Sequence, residues 1–92
     1  MTKINVENTL TELKKFSHNH YQNTKNFLLM TAKGNKITAG YTFDRYDVDI
    51  IWTVTTGRMI EKFYENGEYT YTKVHNSIKT VEEFKNFLEN NY

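Results

Sequence analysis

A chain of 92 residues with no cysteine and no proline is long enough to bury about 60–65% of its unfolded surface as one domain. Without a thiol it excludes a disulfide framework, a cysteine nucleophile and a cysteine-ligated zinc site. A formal net charge of +1 makes no general electrostatic case for nucleic acid or a membrane surface, and no window approaches the ~20 apolar residues of a membrane span. Residues Met1 to Glu7 place no apolar core behind a basic start, so a soluble protein of the cytoplasm is expected. The charge is unevenly spread. Residues 1–40 hold six lysines against Glu7 and Glu12, whereas residues 41–70 hold six acids against Arg45, Arg58 and Lys62; a mixed, solvated surface accounts for both.

In chain order, Val6, Leu10, Leu13 and Phe16 recur at helical spacing and predict an amphipathic helix from Asn5 to about His20. Asn5 suits the cap, with Glu7 early and Lys14, Lys15 and His18 late, as the helix dipole favours. His18 and His20 diverge by ~200° on a helix, so no metal is assigned to them. The polar stretch Asn19–Lys25 reads as a connection. Asn26 to Lys33 reads as a first strand closed by Gly34-Asn35, which pairs Lys33 with Lys36, Ala32 with Ile37, Met30 with Ala39 and Leu28 with Tyr41.

From Lys36 to Thr55 apolar and polar residues alternate for two strand lengths. Folding them about Asp44-Arg45-Tyr46-Asp47 sets Phe43 opposite Val48, Tyr41 opposite Ile50, Ala39 opposite Trp52 and Ile37 opposite Val54. Asp44, Asp47 and Asp49 suit solubilising turn positions better than a hard-cation loop, which needs more oxygen ligands and a glycine. A turn at Thr56-Gly57 then places Met59 opposite Val54 and Phe63 opposite Ile50. Asn66-Gly67 is the strongest hairpin signal, pairing Glu65 with Glu68, Tyr64 with Tyr69, Lys62 with Tyr71 and Met59 with Val74. Finally, Thr80-Val81-Glu82-Glu83 forms a capping box before Phe84, Phe87, Leu88 and Tyr92, a helix short enough that it must dock to exist.

The expected fold is therefore a two-layer α+β domain: N-terminal helix, five-stranded antiparallel β-meander and C-terminal helix, with both helices on one sheet face. That face would carry Leu28, Met30, Ile37, Ala39, Tyr41, Phe43, Val48, Ile50, Trp52, Val54, Met59, Phe63 and Val74. Glu61 is the misfit beside Trp52, read as strand-end fraying or a bulge near Gly57 rather than as a functional acid. The opposite face is more informative. On these registers Ile51, Lys62 and Tyr71 form one row and Asp49, Tyr64 and Tyr69 another, with Ile60 and Lys73 beside them. Apolar side chains mixed with tyrosine and ions have the composition of a binding surface.

No phosphate loop, nucleophile elbow or metal cluster is present in the pattern, and no cofactor or catalytic residue is assigned. The preferred function is a non-catalytic protein-binding module: a stoichiometric inhibitor, immunity-type protein or adaptor acting through Asp49, Ile51, Ile60, Lys62, Tyr64, Tyr69, Tyr71 and Lys73, or through a sheet edge. A second copy of the chain is among the partners that such a face or edge would accept. The richness in Lys, Asn, Ile and Tyr matches AT-rich genomes such as those of phages and mobile elements, where small inhibitors of nucleases and defence systems are frequent. Single-stranded nucleic acid is the alternative partner, stacking on the tyrosines beside Lys62, Lys73 and Arg58; Asp49 and the near-neutral charge count against it. A further alternative is a small enzyme with a cavity under the sheet, lined by Tyr41, Trp52, Glu61 and His75.

Overall fold

The computed structural model describes residues 6–21 and 28–92. Helix α1 (Val6–Tyr21) is followed by strands β1 (Leu28–Lys33), β2 (Lys36–Phe43), β3 (Tyr46–Thr53), β4 (Arg58–Glu65) and β5 (Glu68–His75), then by helix α2 (Val81–Asn91). The strands form one antiparallel sheet in sequence order, as four local turns dictate. The expectations for Asn5, for residues 22–27 and for the side chains of His18, His20, Leu28, Leu29 and Phe43 lie outside the described residues. Helix α1 continues through Tyr21, into what the sequence suggested was already connection.

Both helices cover the face bearing Trp52. Leu13 of α1 and Phe84 and Leu88 of α2 are fully buried against Met30, Ile37, Ala39, Ile50, Trp52 and Met59. The indole of Trp52 stacks on Phe84 at 4.7 Å with an interplanar angle of 10°, and its Nε1–H donates to the Ile78 carbonyl at 2.6 Å. The Ile78 amide in turn donates to the Gly57 carbonyl at 3.0 Å. Gly57 has φ +79°, and a Cβ there would lie 2.8 Å from Lys79 Cγ, so both backbone angle and close approach require glycine. Thr80 caps α2, its hydroxyl accepting from the Glu83 amide at 3.1 Å. The Glu83 carboxylate reaches back to the Lys79 amide at 3.2 Å, one residue earlier than a capping box usually closes.

The first hairpin has the expected pairing. The next two differ from expectation by two residues. Between β2 and β3 the turn is Asp44-Arg45, with Asp44 at φ 55°, a conformation that aspartate tolerates. Tyr46 and Asp47 thus belong to the strand, so Tyr41 faces Val48, Ala39 faces Ile50 and Ile37 faces Trp52. The Thr42 hydroxyl donates to Asp47 Oδ1 at 2.9 Å across this pair. Between β3 and β4 the loop is Val54–Gly57, closed by the Gly57 amide on the Thr53 carbonyl at 3.0 Å; Trp52 faces Met59, and Glu61 faces Ile50 rather than Trp52. A two-residue slip returns every side chain to its own face, so the core is the one expected.

The fourth hairpin departs by an odd number. It begins as expected, Glu65 with Glu68 and Tyr64 with Tyr69, but a bulge follows, and Phe63 then pairs with Tyr71, Lys62 with Thr72, Glu61 with Lys73, Ile60 with Val74 and Met59 with His75. Thr70 is the extra residue, and its hydroxyl donates to the Phe63 carbonyl at 2.9 Å. Beyond it the faces of β5 are exchanged. Tyr71, Lys73 and His75 lie on the helix side, and Val74, expected in the core, is on the other face and 49% exposed.

Candidate functional site

The bulge divides the expected binding set between two surfaces. On the sheet face opposite the helices remain Asp49, Ile51, Ile60, Lys62, Tyr64 and Tyr69, joined by Val74. Their rows are not the predicted ones. Ile51, Ile60 and Val74 align across three strands, Asp49, Lys62 and Thr72 form the next row, and Asp47, Tyr64 and Tyr69 the third. The rings of Tyr64 and Tyr69 meet edge to face at 6.0 Å, and the Tyr69 hydroxyl lies 2.6 Å from Thr72 Oγ1. Among the described residues no helix lies over this face. Tyr69 is 58% exposed, and every residue of β5 from Glu68 to Val74 is exposed, with one edge of that strand unpaired.

Tyr71 and Lys73 face the other way. The Tyr71 ring stacks on Phe63 at 4.5 Å and 14°, and Lys73 Nζ stands 5.5 Å from the centre of the Phe63 ring and 6.0 Å from that of Tyr71. Helix α2 ends before the hairpin tips, and Tyr92 turns its ring against Tyr41, centroid to centroid 4.8 Å, at 64°. Beyond it opens a cleft of about 520 Å³ walled by Tyr41, Tyr46, Val48, Phe63, Tyr71 and Tyr92. At its rim Arg45 Nε donates to Glu65 Oε1 at 2.8 Å and the guanidinium lies 5.1 Å from the centre of the Tyr46 ring. Hydrogen bonding to Glu65 and to the Tyr46 hydroxyl holds the Arg45 pKa above its ordinary value.

Glu61 lies beside this cleft, and the fraying or bulging expected of it is not what the structure has. It sits within β4, only 4% exposed, because both carboxylate oxygens are occupied. Oε1 lies 2.7 Å from His75 Nε2, and Oε2 accepts from the Tyr92 hydroxyl. Burial, and next the bond to Glu61, push the Tyr92 phenol well above its ordinary pKa. His75 packs against Phe87 of α2 at 5.2 Å. A smaller hollow of about 200 Å³ joins Glu61, Lys73, His75 and Phe87 to the aromatic cleft through Phe63, Asn91 and Tyr92. Of the four residues expected to line a cavity, Tyr41, Glu61 and His75 are brought together; Trp52 is apart, under Phe84. Glu61 can orient His75, but the lining of the hollow includes no serine, threonine or cysteine hydroxyl or thiol for His75 to activate.

Two contributors escape a reading of the sequence. Tyr46 seemed to be loop; a two-residue turn with aspartate in the left-handed region would have returned it to the strand. Tyr92 fits the apolar stripe of α2 by spacing, yet nothing local shows that its hydroxyl meets an inward carboxylate. Comparison with known protein families, with curated proteins and with solved structures gives no match.

Proposed function

We propose that the chain is a small non-catalytic protein-binding module, of the stoichiometric inhibitor, immunity or adaptor kind, that docks its partner on the bare face of the sheet. The observation that carries this reading is the row Ile51–Ile60–Val74, which runs across three strands and out to the unpaired edge of β5. Val74 is exposed and Ile51 and Ile60 are half-buried; complete burial of such a side chain is worth about 1.5–3 kcal/mol, and a partner would recover the part still open to water. Tyr64 and Tyr69 extend that surface with area of low entropic cost. The cross-strand pair Asp49–Lys62 offers both signs of charge beside the row, suited to orienting a protein and rejecting a wrong one. The free edge of β5 adds backbone donors and acceptors for strand addition. Single-stranded nucleic acid suits this surface less well, because Tyr71 and Lys73 are on the other side and Lys62 has an acid, Asp49, opposite it in the ladder. Inhibition of a nuclease or defence system, by a protein of phage or mobile-element origin, is the setting in which such a module would act.

The test is co-purification of the tagged chain from the cells that make it, with the mass of the complex measured by light scattering. A complex of fixed stoichiometry is expected, lost in Lys62→Glu/Val74→Asp and retained in Tyr71→Ala. Val74 is exposed and Lys62 half-buried on that face, so the variant should stay folded, losing at most about 1 kcal/mol to the like charges then opposed at 49 and 62. A complex that survives the double variant, or that depends on Tyr71 instead, would overturn the assignment of the face.

A further inference from the structure

Taking the bare face as the surface on which a protein docks, we infer that the partner meets it with carboxylates set beside its apolar contact, and that these pair with Lys33, Lys36 and Arg58. The docking face is presupposed from the function proposed for it; the charge of the partner is what is added. The three cations are scattered in the sequence and gathered by the ladder. Lys33 lies directly opposite Lys36, Lys36 opposite Thr53, and Thr53 opposite Arg58, so this end row of the bare face holds three positive charges and no acid. All three cations are exposed, and among the described residues none makes an ion pair. Like charges directly opposite one another work against strand pairing. The turns at this end are nonetheless fastened together: the Val54 amide donates to the Asn35 carbonyl at 2.9 Å, and Asn35 Nδ2 donates to Thr55 Oγ1 at 2.9 Å. The cations are thus held side by side before any partner arrives, which lowers the ordering cost of binding. Lys79, whose stem passes close to Gly57, shares its corner with the Glu83 carboxylate and adds no net charge.

Two residues further along each strand, about 7 Å away, runs the apolar row Ile51–Ile60–Val74, continued on β2 and β1 by Thr38 and Thr31. It too contains no acid. The basic row therefore borders the apolar one directly, as a charged rim borders the apolar centre of an interface, where it guides approach and rejects partners of the wrong sign. Beyond the apolar row the sign changes. Asp49 faces Lys62, and after them Asp47 accepts from the Thr42 hydroxyl. A uniform polyanion laid along the strands, such as a single-stranded nucleic acid, would pass from three cations onto two aspartates, of which only Asp49 has a cation opposite it in the ladder. A protein surface can place its acids at one end and apolar side chains next to them, which is the complement of this face.

The probes are three soluble peptides of one pattern, leucine and serine interspersed with glutamate, with glutamine or with lysine, and oligothymidylate as a single-strand control, each titrated by amide shifts in heteronuclear NMR. The glutamate peptide is expected to bind about tenfold more tightly than the glutamine peptide, the order that three exposed ion pairs supply, with the lysine peptide weakest. Its shifts should span Lys33, Lys36 and Arg58 together with Ile51, Ile60 and Val74, and its advantage should shrink with added salt. Lys33→Gln/Lys36→Gln/Arg58→Gln should abolish the difference between the glutamate and glutamine peptides. Because it removes the opposed lysines, it should melt no lower than the wild type. Val74→Asp should weaken all three peptides. Equal binding of the glutamate and glutamine peptides on this face would overturn the acidic preference and leave the docking face standing. Shifts away from the face, or indifference to Val74→Asp, would overturn the face itself. No binding of the glutamate peptide would overturn the inference, as would binding of oligothymidylate with equal strength, which would assign the basic row to phosphates instead.

Discussion

Glu61 holds its buried place because two donors from distant parts of the chain reach it. Removing a carboxylate from water costs several kcal/mol unless its oxygens are satisfied, and here His75 takes one oxygen and Tyr92 the other. Tyr92→Phe leaves Oε2 without its donor and should cost about 1–3 kcal/mol near neutral pH. The variant should also alter the alkaline limb. The phenol pKa is raised in the folded state, so its contribution is fully present below the unfolded value of about 10 and is lost as pH rises above that, where the unfolded chain ionises first. Urea titrations between pH 7 and 11 should accordingly show a smaller alkaline loss for Tyr92→Phe than for the wild type; parallel curves would mean that the hydroxyl is not held by Glu61. From the sequence, Glu61 was legible as an inward misfit in a period of two. Its partners were not, since His75 lies 14 residues away across a bulged hairpin and Tyr92 lies 31 away.

Helix α2 is positioned chiefly from its N-terminal side. Ile78 is fastened at its amide by Gly57 and at its carbonyl by Trp52, and two residues later Thr80 starts the helix over the indole. Trp52→Ala would remove the ring on which Phe84 stacks together with the donor to Ile78, and should destabilise the protein by about 3–5 kcal/mol in a reversible urea titration, as the loss of a large buried aromatic does. A loss below about 1 kcal/mol would place the indole outside the core. Elements of this kind were legible because each carried its own punctuation: Gly34 and Asn66-Gly67 for turns, Thr80 and Glu83 for the cap. Registers were legible only up to a shift of two. The alternation of Ile37, Ala39 and Tyr41 against Val48, Ile50 and Trp52 fits a two-residue turn and a four-residue loop equally, since both bury the same residues.

At the scale of the molecule, among the described residues one sheet face carries both helices and the other carries none, leaving an apolar row on the bare side and an aromatic cleft at one end of the covered side. The division of the core was readable from periodicity. The division of the candidate binding residues was not, because β5 alternates tyrosine, lysine and histidine with threonine and valine and thus specifies neither of its faces strongly. The bulge that decides the matter also bears on how the strand tolerates changes of length. Removing one residue from a paired strand ordinarily turns every later side chain over, as deletion of Asp49 from β3 should do, with loss of the fold. Thr70 is surplus to the ladder: without it Tyr69 still meets Tyr64, and Tyr71 still meets Phe63. A chain lacking Thr70 should therefore unfold in a single transition close to that of the wild type and keep the Phe63–Tyr71 ring contact by NMR, whereas unfolding of that deletion would mean that the strand needs its irregularity. At this position evolution could shorten the protein by one residue without rewriting either surface.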